Sequence, residues 1–170
     1  MIYLLDANVL ITAHNQYYPV DRVPEFWEWI HHVATQGHVK MPVEIFDEIR
    51  DGSKDAHKDL LYAWIQDGST KDALVLMEEP DVALVQKVIQ EGYASDLNDN
   101  EIEQLGRDPF LIAYALAAPA ERCVVTTEVS KPTRTRQNRH VPDVCDTMNV
   151  KWHGPFDFLK VMNFSTGWKK

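Results

Sequence analysis

The chain has 170 residues, of which 45% are apolar, and a formal net charge of −9. This length and composition predict one domain with one core, and the acidic balance argues against a general nucleic-acid-binding surface, because binding to phosphate backbones depends on basic side chains. No stretch approaches the ~20 apolar residues that span a bilayer, and Asp6 interrupts the apolar start before it reaches the length of a signal peptide. A soluble, cytoplasmic protein is expected.

Apolar runs and helix-start signals predict alternating strands and helices in the first half of the chain. In chain order the predicted elements are a strand at 3–6, a helix from Pro24 that Gly37 closes, a strand at 38–41, a helix from Pro42, a helical pattern at 60–65 and a strand at 73–77. The helix from Pro42 carries Glu44 and Glu48 on one face, and only one of the two need reach a site.

The second half continues the alternation. Its predicted elements are a helix from about Asp81 to Gly92, a loop at 95–101, a helix that begins at Asp108 with Asp108 as N-cap, a strand at 122–126, a short helix near Pro142, an edge strand at 150–152 and a helix at 155–162. This order predicts an α/β fold with a mostly parallel sheet, in one domain over residues 1–164 with a frayed tail at 165–170. Cys123 and Cys145 lack zinc-like spacing and are expected to be buried free thiols.

Four acidic residues stand at comparable points of these elements. Asp6 follows the first strand, Glu48 lies in the helix after the second, Asp108 begins a helix, and Glu128 follows the strand at 122–126. Open α/β sheets place their chemistry at the carboxyl ends of the strands, so the four carboxylates are expected to meet there. Each also has an ordinary interpretation, as a turn, helix, N-cap or surface residue. Asp6 fits this least, because charge at the end of a buried strand is costly unless paired or metal-bound.

Converging carboxylates repel one another, which raises their pKa values and calls for a compensating charge. Because no lysine or arginine occupies the predicted strand ends, a hard divalent cation is the expected counter-charge. Oxygen ligands favour Mg²⁺ or Mn²⁺ over zinc, and such ions bind phosphodiesters and lower the pKa of a bound water. The sequence therefore predicts a Mg²⁺ or Mn²⁺ site.

A basic segment at residues 131–140 follows Glu128 and contains no acid. Its cationic side chains are Lys131, Arg134, Arg136 and Arg139. Two interpretations are open: a solvated loop, as most charge runs are, or a set of phosphate contacts beside the fourth acid.

The segments LLDANVLI, PVEIFDEIRDG, RDPFLIAYALA and VVTTE occur in this order and resemble the motifs of PIN-domain nucleases, in detail those of a longer PIN-like family. The resemblance extends from residue 2 to about residue 162. It implies a three-layer α/β/α sandwich and a metal-dependent endoribonuclease, in many bacterial cases the toxin of a toxin-antitoxin pair. RNA as substrate and an antitoxin from an adjacent gene are the implied partners, and a homodimer is left open.

Carried over by position, the four acids match the catalytic, metal-binding acids of the family. Asn8 and Thr126 match polar residues that would orient water or a phosphate oxygen, and Arg134, Arg136 and Arg139 are candidates to position substrate. Glu128 departs from the common aspartate by one methylene, so a water-mediated role is an alternative to direct ligation. Residues 70–107 form a longer stretch than in compact PIN toxins, for which a lid, a dimer surface and an antitoxin-binding face are alternatives.

Two other classes remain open. The segment Leu5-Asp6-Ala7-Asn8-Val9 approximates the D-x-D-x-T/V loop of haloacid-dehalogenase-like phosphatases, in which Asp6 would be a covalent nucleophile. Asn8 stands where that family has its general acid, and Asp108 lacks the G-D-x-x-x-D surroundings. The second alternative is a PIN-like fold that acts as a non-catalytic binding module.

Overall fold

The computed structural model describes residues 1–52 and 59–169. A five-stranded, all-parallel sheet lies at its centre, and helices cover both faces, which makes the three-layer α/β/α sandwich that the sequence predicts. The strands are β1 (Ile2–Leu5), β2 (Val39–Pro42), β3 (Val75–Leu76), β4 (Arg122–Val125) and β5 (Lys151–His153). Over the described residues, no helix has the length and apolar character to cross a membrane.

The strand order is β3-β2-β1-β4-β5, with β1 in the middle. Tyr3 pairs with Val39 of β2 on one side and with Cys123 of β4 on the other. From β1 the chain first builds outward through β2 and β3 and then returns to the opposite side with β4 and β5. The direction of winding therefore reverses between β1 and β4, and the crevice at such a reversal is where open parallel sheets bind their ligands.

The helices begin where the sequence offers a proline or an acidic cap. Pro24, Pro109, Pro142 and Pro155 lie in first turns, where a missing amide hydrogen costs little. The helices are α1 (Ala7–Thr12), α2 (Pro24–Thr35), α3 (Val43–Gly52), α4 (Leu60–Gln66), α5 (Gly68–Leu74), α6 (Val82–Lys87), α7 (Asp99–Gln104), α8 (Asp108–Leu116), α9 (Val141–Thr147) and α10 (Pro155–Val161). α1 and α6 continue as π-helical turns over Ala13–Tyr17 and Val88–Tyr93, and Arg136–Asn138 forms a 3₁₀ turn.

Both faces of the central strands are buried. Every residue of β4 is buried, as are Tyr3, Leu4 and Leu5 of β1, which explains their continuous apolar runs. Trp27, Phe46 and Phe158 are the largest fully buried side chains, and burial of each stabilises the fold by roughly 1.5–3 kcal/mol. Cys123 and Cys145 are buried free thiols, as predicted.

The structure corrects three predicted elements. Pro42 ends β2, and α3 begins one residue later. Residues 95–101 are not all loop, because Asn98 and Glu101 form a reciprocal capping box that starts α7. This helix buries no residue, so it has no apolar stripe for a periodicity argument to find. Likewise, α5 extends to Leu74, so β3 contains only two residues.

The tail is not frayed as predicted, at least as far as residue 169. The Trp168 indole N–H donates to the Glu25 carbonyl at 3.1 Å, and Lys169 forms an ion pair with Glu28 at 2.6 Å. The Trp168 ring also lies 4.8 Å from the His32 ring, centroid to centroid. The tail therefore packs on α2, and only residue 170 of the predicted frayed segment lies outside the described residues.

Candidate active site

A cleft of about 390 Å³ opens at the carboxyl edge of the sheet, above the ends of β1 and β4. All four predicted acids line it, each from a different element, and so does Asn8. The lining is Asp6, Asn8, Glu48, Asp51, Gln104, Leu105, Gly106, Arg107, Asp108 and Glu128. Residues 104–107, at the end of the long stretch 70–107, thus form part of the cleft wall.

Asp6 lies at the floor of the cleft, between β1 and α1. Its side chain is nearly inaccessible, with 4% of the residue exposed. One carboxylate oxygen accepts from the backbone N–H of Asn8 at 3.4 Å, and the other accepts from the Thr126 hydroxyl at 2.8 Å. Burial raises the pKa of Asp6 to about 6, against the opposing effect of these two hydrogen bonds, and the charges of Glu48 and Glu128 raise it further.

Asp108 is the first residue of α8, and Arg107 precedes it as the N-cap, so the predicted N-cap role of Asp108 is wrong by one position. Within the described ranges its carboxylate makes no hydrogen bond. Burial raises the pKa of Asp108 well above its ordinary value, and the charges of Asp6, Glu128 and Glu48 add to this. Both oxygens of Asp108 are therefore free to bind a cation.

Glu48 lies on the open side of the cleft and projects from α3. Partial burial of the carboxyl group raises its pKa, and the Arg107 guanidinium opposes the rise. Glu44, four residues earlier on the same helix face, does not line the cleft. Of the two glutamates, Glu48 is thus the one that reaches the site.

One carboxylate oxygen of Glu128 already accepts a hydrogen bond within the protein. Its Oε2 accepts from the Val141 amide at 2.7 Å, at the start of α9, and lies 3.9 Å from Nδ1 of His140. The longer glutamate side chain thus reaches across to a neighbouring helix, which supports a less direct role at the cleft than for Asp6 and Asp108. Its other oxygen makes no hydrogen bond to any described residue.

Thr126 and Asn8 were both expected to orient water or a phosphate oxygen. In the structure Thr126 hydrogen-bonds to Asp6 and Glu128, whereas Asn8 faces solvent. Thr126 is fully buried. Its hydroxyl donates to Asp6 and accepts from the Glu128 amide at 3.2 Å. Asn8 is exposed at the cleft, where its amide can reach a bound molecule.

Arg107 is a cleft residue that the sequence argument missed. Its guanidinium donates to the Glu44 carbonyl and, at 3.0 Å, to the Asp51 carboxylate. The sequence analysis considered basic residues at the strand ends alone, whereas Arg107 reaches the cleft from the loop before α8. Its place directly before Asp108 in the RDPF segment was the available signal.

Tyr93 was missed as well. Tyr93 is 7% exposed, and its hydroxyl has no hydrogen-bond partner among the residues that the structure describes. Burial raises its pKa, and the nearby charges of Asp108 and Glu128 raise it further. This buried hydroxyl stands behind the acidic cleft, at the end of the π-helical turn that follows α6.

Two of the three arginines of the basic segment bind other groups of the protein. Arg136 forms ion pairs with Asp96 at 2.7 Å and Glu101 at 2.9 Å. Arg139 donates to the carbonyls of Gly92 and Asp143 and to the Thr147 hydroxyl. Arg134 is exposed and makes no side-chain hydrogen bond to residues 1–52 or 59–169. Of the three predicted arginines, only Arg134 is free to meet a phosphate.

The acids fit a hard divalent cation by their chemistry. Asp6 is buried and Asp108 is half-buried, and the charge of Asp6 raises the pKa of Asp108, an arrangement that a cation stabilises. As they stand, no three His, Cys, Asp or Glu side chains of the described chain are arranged to hold a metal ion.

The fold and the cleft define an α/β protein with an acidic crevice at the winding reversal of a parallel sheet. Over residues 3–166 the chain matches the family model described as Domain of unknown function (DUF4411), and the protein belongs to this family. No curated protein matches the chain.

Proposed function

We propose that the protein is a Mg²⁺- or Mn²⁺-dependent endoribonuclease of the PIN type. The observation that carries the proposal is the shared cleft, in which carboxylates from four separate elements meet at the winding reversal of the sheet. Burial of acids in this way lowers stability unless a cation compensates. The four PIN-like motifs contribute these same four residues.

Asp6 and Asp108 would hold the cation, because Asp6 is buried at the floor of the cleft, Asp108 is half-buried, and the Asp108 carboxylate has no competing hydrogen bond among the described residues. Glu48 closes the cleft from α3, and Glu128 contributes its free oxygen. When bound, the cation supplies Lewis acidity, which activates water and neutralises charge on a phosphodiester. Thr126 keeps Asp6 oriented, and the exposed Asn8 amide donates to a phosphate oxygen.

The phosphatase alternative requires Asp6 to attack a substrate. That role is disfavoured because Asn8 stands where the phosphatase family has its general acid, and an amide has no acidic proton to give to the leaving group. A non-catalytic binding module would keep the cost of converging acids, one of them buried, without using them. The nuclease proposal gives those acids a role.

The direct experiment incubates total RNA with purified wild type, Asp6→Asn and Asp108→Asn, in Mg²⁺, in Mn²⁺ and in EDTA. Asp72→Asn is the matched control, because Asp72 is an exposed acid that does not line the cleft. Wild type and control should cleave with metal only, and the cleft variants should lose cleavage while remaining folded. Cleavage in EDTA, or full activity of either cleft variant, would overturn the proposal.

The role of toxin in a toxin-antitoxin pair enters the proposal through the resemblance alone. Induced expression of wild type should then arrest growth of a bacterial host, and Asp108→Asn should not. Co-expression of a small protein encoded beside the gene should restore growth and co-purify with the chain. Normal growth with active wild type would remove the toxin role and leave the nuclease proposal intact.

A further inference from the structure

A second groove, of about 540 Å³, adjoins the acidic cleft along the same edge of the sheet. Glu128 lines both. Three of its lining residues are Thr127, which follows β4, Phe156 in the first turn of α10, and Tyr17 at the end of the π-helical turn that follows α1. The groove therefore begins where the proposed catalytic cleft ends.

Two exposed aromatic rings form part of the groove's apolar surface, together with Val129, Trp152 and Pro155. Tyr17 is 48% exposed and Phe156 is 50% exposed. Their ring centroids are 5.2 Å apart, with an angle of 78° between the planes. Aromatic rings held at a surface in this way are the platforms on which unpaired nucleobases stack, whatever the base.

The rest of the lining suits the edge of a flat polar molecule. The side chains of Thr12, Gln16 and Thr127 line the groove, and none of them is hydrogen-bonded to the described part of the protein. The groove's lining contains no lysine, arginine or histidine, whereas it includes Glu128 and Asp157. A phosphate is therefore repelled there, and an uncharged aromatic ring with polar edges is favoured.

We propose that this aromatic groove binds an unstacked nucleobase of single-stranded RNA, next to the phosphate that lies in the acidic cleft. The inference rests on the proposed nuclease function and adds to it a base-binding subsite beside the cleft. Bases within a duplex are stacked and paired, so they cannot enter the groove without an unpairing cost. The site thus selects single strands.

The test measures binding of a fluorescent single-stranded oligoribonucleotide by anisotropy, in EDTA and at low salt, so that no cleavage interferes. Tyr17→Ala and Phe156→Ala should each lower affinity by roughly 5- to 150-fold, the range for loss of one base-stacking contact. Tyr17→Phe keeps the ring and should bind like wild type. Met77→Ala, at an 88% exposed apolar residue outside the groove, is the control, and unchanged melting temperatures verify folding.

An oligomer with abasic sugars at successive positions completes the test. Wild type should bind it at least as weakly as Phe156→Ala binds the intact strand, because the abasic strand loses the contacts to both rings, and duplex RNA should bind weakly to both proteins. Equal binding of intact and abasic strands by wild type, or unchanged affinity in both alanine variants, would overturn the inference and leave the groove to a partner protein's side chain. Cleavage of RNA by wild type in Mg²⁺, measured in parallel, separates that result from failure of the nuclease proposal.

Discussion

The hydroxyl of Thr126, at the end of β4, donates a 2.8 Å hydrogen bond to Oδ2 of Asp6, at the end of β1. The same hydroxyl accepts from the Glu128 amide at 3.2 Å. Because Thr126 is fully buried, water cannot replace these bonds. One hydroxyl therefore fixes the carboxylate of Asp6 and the backbone of Glu128 relative to each other.

Replacement of Thr126 by valine keeps the shape of the side chain and removes both hydrogen bonds. We expect Thr126→Val to lower the free energy of unfolding by about 1–3 kcal/mol, because a buried carboxylate loses its partner. It should also raise the pKa of Asp6 further, since the hydrogen bond stabilises the charged form. Chemical denaturation at neutral pH measures the first effect. Thr127→Val, at a neighbour with no side-chain hydrogen bond to the described residues, should change stability by no more than about 0.5 kcal/mol.

The raised pKa of Asp6 predicts a pH dependence of stability in EDTA. The folded-state pKa is about 6 and the ordinary value is 3.8, so the folded protein holds this proton more tightly than the unfolded chain does. The contribution is fully present below pH 3.8 and is lost as pH rises through about 6, by an amount on the order of 3 kcal/mol. Asp108, whose pKa is also raised, acts in the same direction.

Asp6→Asn removes the titrating group. Its unfolding free energy in EDTA should therefore fall less than that of wild type between pH 4 and pH 7, and at pH 7 the variant should melt higher. Urea unfolding across this pH range, with Asp72→Asn as control, gives the comparison. Parallel pH profiles for wild type and Asp6→Asn would contradict the raised pKa.

The positions of the acids could be predicted because the sequence carries the topology. Asp6 and Glu128 each follow a strand with a continuous apolar run, and parallel strands end at one edge. Asp108 could be placed from the proline that follows it. The sheet and the cleft therefore follow from local patterns together with a general rule of α/β folds.

The partners of the basic residues could not be predicted, because they depend on contacts between distant segments. Arg136 meets Asp96 and Glu101 some 40 and 35 positions earlier in the chain, and a charge run gives no information about such pairing. Arg107 reaches the cleft through the loop before α8. The packed tail was missed for a similar reason, since Trp168 contacts α2 through a single indole and its hydrogen bond.

Loss of charge should lower the melting temperature at Arg136 and leave it unchanged at Arg134. Arg136→Gln breaks the ion pairs to Asp96 and Glu101 and should lower the melting temperature, most clearly at low salt. Arg134→Gln should leave the melting temperature unchanged. If Arg134 contacts phosphate, the same variant should also flatten the salt dependence of RNA binding, by a log-log slope of about 0.7. The reverse pattern would restore Arg136 as the substrate-binding residue.

Arg107 should compete with a bound cation, because its positive charge already opposes the rise that burial causes in the pKa of Glu48. Arg107→Gln should therefore bind Mg²⁺ more tightly than wild type, with Glu48 harder to ionise when metal is absent. Arg107→Lys keeps the charge and should change Mg²⁺ affinity less. Calorimetric titration of the three proteins with Mg²⁺ gives the order of affinities, and weaker binding by Arg107→Gln would show that Arg107 organises the cleft instead of competing within it.

Stabilisation by metal tests whether the four carboxylates form one site. At about ten times its dissociation constant, one ion that binds only the folded state adds roughly 1.4 kcal/mol, or about 3–6 °C in melting temperature for a chain of this size. Melting curves of wild type, Asp108→Asn and Asp72→Asn, with and without Mg²⁺ or Mn²⁺ at pH 8, measure this directly. We expect wild type and Asp72→Asn to gain this increment and Asp108→Asn to gain little. Equal gains for all three proteins, or no gain for wild type, would contradict it.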